Sequence, residues 1–145
     1  MIRALAALVF GAALALGSIG EARAQAGNLS AIILPSASRT AVQVNSADIQ
    51  NRTWSGAQII VNVTAFVAGN YVPKVQGKDQ ASGQYYDLLI GQSITGTGTT
   101  ILKIFPGIAP LANAAASDFL PRVWRVQLNG STPSMTLSVS GNFQQ

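Results

Sequence analysis

The chain has 145 residues, nine Lys or Arg against five Asp or Glu, a net charge of +4, and neither histidine nor cysteine. The length suits one domain, and the two absences exclude a thiolate nucleophile, an imidazole base, a Cys/His zinc site and any disulfide. The basic residues are scattered, which leaves no run able to track a phosphate backbone, so no nucleic-acid partner is expected.

Residues 1–26 read as a signal peptide of bacterial type, a helix-forming segment ahead of the domain. Arg3 supplies the positive start, Ala4 to Gly20 the apolar run, and Ala22-Arg23-Ala24 or Ala24-Gln25-Ala26 the small-x-small cleavage pattern. The protein is expected to be secreted or periplasmic, with no membrane association after cleavage. Arg3, Arg23 and Glu21 lie in this segment; the seven basic and four acidic residues beyond them leave +3.

From residue 27 to the end the hydrophobic pattern has period two, the period of a half-buried strand. Ala31 to Leu34 and Thr40 to Val44 are the first two expected strands. Ile59, Val61, Val63, Ala65 and Val67 then fall on one face, followed by a strand over Val72 to Lys78. Gln84 to Gly91 returns as a hairpin, with Asp79 to Gly83 as its loop. On that return strand Tyr86, Leu88 and Ile90 share the core face and Tyr85 points outward. Leu102 and Ile104 mark the next strand, Trp124, Val126 and Leu128 another, and Met135, Leu137 and Val139 the last. Gly69-Asn70 suits a type II′ turn and Asn129-Gly130 a type I′ turn. Pro106 to Pro121 reads as a crossing connection with one helical turn near Leu111 to Ser117. The pattern predicts an all-β fold: a single antiparallel β-sandwich, jelly-roll or Ig-like, of about eight strands over residues 27–145.

The chemistry-bearing residues are few. Beyond the signal the carboxylates are Asp48, Asp79, Asp87 and Asp118. Asp79 and Asp87 flank one hairpin, but their residue types suit solvation and turn formation better than an acid–base pair. Asn45-Ser46-Ala47-Asp48 with Asn51 holds one carboxylate, too few for a calcium loop, and reads as a turn. Asn-x-Ser/Thr sequons at Asn28, Asn51, Asn62 and Asn129 are expected from composition. No metal, cofactor or catalytic residue is expected. Trp124 is expected in the core, whereas Tyr85, Arg122 and Arg125 are candidate interface residues, since Tyr and Arg are favoured at protein contacts.

In order along the chain stand Arg39-Thr40-Ala41, Gln76-Gly77-Lys78-Asp79, Ser82-Gly83 with Tyr85-Tyr86, Thr97-Gly98-Thr99-Thr100, Pro106-Gly107, and Leu120-Pro121-Arg122 with Trp124-Arg125. The series resembles a family of small β-rich proteins encoded among virion structural genes of tailed bacteriophages and prophages, here with an added signal peptide. The resemblance implies a non-enzymatic structural component: a decoration protein or a minor capsid or tail protein. Its expected partners are other protein copies, as a homo-oligomer, or a virion or surface protein. The alternative is a secreted periplasmic or surface module for carbohydrate binding or adhesion, using Tyr85, Trp54 and the loops.

Overall fold

The computed structural model describes residues 27–145; the expected signal peptide lies outside the described residues. Eight strands and no helix occur among them. They are β1 Leu29–Arg39, β2 Gln43–Asn45, β3 Ile49–Gln50, β4 Gly56–Lys78, β5 Tyr85–Ile90, β6 Gly98–Ile104, β7 Ala115–Ala116 and β8 Val123–Gln144. All belong to one sheet of order β1-β8-β4-β6-β7, with β2 and β3 also on β8 and β5 also on β4. The sheet is mixed, because β7 runs parallel to β6. This departs from the purely antiparallel arrangement expected.

Two strands organise everything else. β4 and β8 pair antiparallel from Gly56 opposite Gln144 to Gly77 opposite Trp124. Each was expected as two strands with a turn between. The turn residues are there, but they lie inside the strands and face each other: Asn70 pairs with Ser131, Tyr71 with Gly130 and Val72 with Asn129. Gly69, at φ 73°, and Thr132, at φ 45°, sit in a run of register breaks between Val63 and Asn70. A bulge needs the same unusual backbone angles as a tight turn. Residues that would close a hairpin instead bend a two-stranded ribbon.

The bend is large. Trp124 and Phe143 lie near opposite ends of β8, yet their ring centroids are 5.8 Å apart. A straight strand of that length would separate them by about 60 Å. Doubling back brings both halves of the ribbon into one core. From the first half come Ile59, Val61, Val63, Leu102, Ile104, Leu137, Val139 and Phe143; from the second come Tyr71, Val75, Trp124, Val126 and Leu128. Trp124 is fully buried, as its alternation with Val126 and Leu128 predicts.

Three local expectations are corrected. Thr40 and Ala41 are not in a strand, and the second strand is the short β2. Ala65 and Val67 leave the core face at the register breaks, where Phe66 packs partly inward instead. Leu111 to Ser117 makes no helical turn. Leu111 bridges Ala115 across a tight turn, with Asn113 at φ 61°, and Ala115 and Ala116 then join β6 as β7.

Candidate functional site

The hairpin expected over Gln76 to Gly91 forms. Lys78 and Tyr85 are its last strand pair. The Asp79 N–H donates to the Gln84 carbonyl at 2.8 Å, and the Gly83 N–H to the Asp79 carbonyl at 2.9 Å. The Asp79 carboxylate caps its own loop, accepting from the N–H groups of Ala81 and Ser82 and from the Ser82 hydroxyl. The hydroxyl, followed by those two N–H groups, holds this carboxyl below its usual range.

Only the second half of β5 departs from the expected faces. Val75 pairs with Leu89 but Gln76 with Asp87, which leaves Leu88 as an extra residue. Alternation breaks there, so Leu89 is buried and Ile90 is exposed. Tyr86, before the break, keeps the side of Gly77 and Trp124 but is 44% exposed at the sheet edge and is not a core ring. It lies over Gly77, where a Cβ would come within 2.5 Å of its Cζ and 2.9 Å of Pro121 Cγ.

Tyr85 is half-buried and held on several sides. Its hydroxyl donates to Asp48 Oδ1 at 2.5 Å, and Lys78 Nζ donates to Asp48 Oδ2 at 2.8 Å. The Arg125 guanidinium stacks 3.4 Å from the Tyr85 ring centroid, with Lys78 Nζ at 5.2 Å. Arg125 Nε donates to Gln76 Oε1 at 2.9 Å, Gln76 Nε2 to Asp87 Oδ1 at 2.6 Å, and Lys74 Nζ to Asp87 Oδ2 at 2.8 Å. A continuous polar network thus crosses the outer side of the second half-sheet from Asp48 to Lys74. Of the three candidate interface residues, the fold brings Tyr85 and Arg125 together. Arg122 is exposed outside the network.

The electrostatics follow from these contacts. Hydrogen bonds from Lys78 and then Tyr85 hold the Asp48 carboxyl below its usual range. Burial pushes Asp87 upward, but hydrogen bonds from Lys74 and Gln76 outweigh it and the net shift is down. Asp48 in return raises Lys78. Asp79 and Asp87 are not brought together as a pair, since each is bound by different groups. Asn45, Asp48 and Asn51 also serve separate partners: Gln127, the Lys78–Tyr85 pair, and the Trp54 N–H. Among the described residues no group of three metal-ligating side chains converges.

The other half-sheet carries a polar row that was not singled out in the sequence. Ser30, Asn142, Gln58 and Lys103 are mutual strand partners across β1, β8, β4 and β6. They come from four distant segments, and only register places them side by side. Comparison of the chain with protein-family models, curated proteins and solved structures finds no match.

Proposed function

We propose that this protein is a non-enzymatic structural or interaction module, of the kind found as decoration or minor capsid and tail components of tailed bacteriophages. It is exported and meets its partner through the outer faces of a sheet that folds over as a sandwich-like unit. The observation that carries this reading is the state of the carboxylates. Asp48, Asp79 and Asp87 are each held by hydrogen bonds that favour the charged form. A general acid is raised towards the operating pH and a general base keeps an oxygen open to its substrate, whereas these oxygens are engaged by Lys78 and Tyr85, by Ser82, and by Lys74 and Gln76. The polar network fixes the shape of the outer face, and Arg122, Tyr86 and Phe119 are exposed outside it and offer further contact area.

The alternative of a carbohydrate module built on Tyr85 and Trp54 draws no support from their geometry. Trp54 is stacked on Phe143 at 4.5 Å, and Arg125 covers a face of Tyr85. Cross-linking mass spectrometry on cells and particles producing the protein tests the proposal. Cross-links from the Lys74–Lys78 region to a capsid or tail protein, or to a second copy, are expected. A chain that stays monomeric and associates with no particle would sink it.

A further inference from the structure

We infer that the cavity at the Lys103 end of the first half-sheet binds a carboxylate-bearing saccharide of the uronic-acid class. This goes beyond the protein-contact reading and stands independently of it. The cavity is about 330 Å³ and open to solvent, lined by Gln58, Lys103, Phe105, Ile108, Asn142 and residues at its rim. That volume is at the lower end of those that take small ligands. Among the described residues no acidic side chain lines it.

The Lys103 ammonium sets the charge of the ligand, and the neighbouring hydrogen bonds are oriented to match it. The Ser30 hydroxyl donates to Asn142 Oδ1 at 2.7 Å, and Asn142 Nδ2 donates to Gln58 Oε1 at 3.2 Å. The relay consumes acceptors along the row and ends with the Gln58 amide nitrogen as a spare donor. Gln58 is the strand partner of Lys103. Among the described residues Lys103 has no ion-pair partner, in contrast to Lys74 and Lys78. Lys103 and the Gln58 amide nitrogen thus both belong to the cavity lining as donors without a partner among the described residues, an arrangement that suits a carboxylate.

The walls decide the rest of the ligand. Phe105 and Ile108 are half-buried and offer an apolar surface of the kind that covers the C–H face of a sugar ring. Asn28 and Gln144 at the rim carry amides, which donate and accept at once, as sugar hydroxyls do. A flexible acidic peptide would satisfy Lys103 but would leave these amides and the apolar wall without a fixed partner.

Calorimetric titration of the purified full chain with a galacturonic-acid trisaccharide tests this, with a neutral galactose trisaccharide, acetate, inorganic phosphate and an oligoglutamate peptide as comparison ligands. Saturable binding of the uronate is expected, at least about tenfold tighter than that of any comparison ligand. Lys103→Met and Gln58→Leu should each weaken it by about tenfold, the size of one lost charge-assisted hydrogen bond. Lys74→Met, in the polar network of the second half-sheet and outside the cavity lining, should leave it unchanged. No saturation by about 10 mM uronate, equal binding of the peptide or the simple anions, or undiminished binding by Lys103→Met would each overturn the assignment.

Discussion

Trp124 shows how a single side chain can be both essential and imperfect. It is fully buried and packs edge-on against Phe143, but its indole N–H finds no acceptor among the described residues. The ring's contribution is therefore apolar volume. Trp124→Ala should cost about 3–5 kcal/mol in denaturant unfolding, as large aromatic truncations in cores do. Trp124→Phe should cost much less, because it also removes an unpaired buried donor. A Phe variant as unstable as the Ala variant would mean that the N–H has a partner after all. Tyr85 is a different case. Alternation places it as an outward ring, but it is not a free one. Stacked on Arg125 and bonded to Asp48, it holds three segments together. Tyr85→Ala should lower the melting temperature measurably. In a double-mutant cycle with Arg125→Met, the pair should couple by about 0.5–1 kcal/mol. Additive effects would show that the stacking contributes nothing.

At the scale of elements, most of the strands were legible and their joins were not. Ile59, Val61, Val63 and Val126, Leu128, Leu137, Val139 announce buried faces by period two, and all are buried as expected. Asp79, Ser82 and Gly83 announce the hairpin loop, and it closes there. Gly69-Asn70 and Asn129-Gly130 carry an equally strong local signal but bend a ribbon, because partner choice depends on residues about sixty positions away, such as Ser131 opposite Asn70. The extra residue at Leu88 is invisible for the same reason: a bulge is a property of a pair of strands. The row from Ser30 to Lys103 could not be read at all, since nothing in four separate polar residues indicates their register. Gly69 offers a test of the bend. Its φ is +73°, and an added Cβ would lie 2.2 Å from the Thr132 carbonyl oxygen. Gly69→Ala should destabilise the protein by more than about 1 kcal/mol. Gly96→Ala, at a loop position with open space around it, should stay within about 0.5 kcal/mol of the parent. Equal stability of the two variants would show that the bend does not need Gly69.

In the molecule as a whole the pairing is non-local throughout: Gly77 meets Trp124, Gly56 meets Gln144 and Leu29 meets Phe143. Such non-local pairing makes folding slow, on the scale of milliseconds to seconds. It also means that the polar network and the core are lost together when the ribbon opens, so its titratable groups report on global stability. Asp48, Asp79 and Asp87 all have lowered values in the folded state. A group lowered on folding contributes stability that is present above its unfolded value, about 3.9 for Asp, and is lost as pH falls through the folded value. Lys78 is raised by its Asp48 partner. Tyr71, whose hydroxyl donates to the Ala41 carbonyl, is raised by burial. Groups raised on folding contribute stability that is complete below their unfolded values, about 10 for both residue types, and is lost as pH rises through the folded ones. The chain has no histidine or cysteine to titrate between these limits. The melting temperature should therefore be flat from about pH 5 to pH 9 and fall on both sides. Asp48→Asn should lower the plateau and make the acid limb shallower, because one of the groups that drives it is gone. A melting temperature that changes steeply between about pH 6 and pH 8 would mean that a shifted group inside the fold, and not the surface network, controls stability.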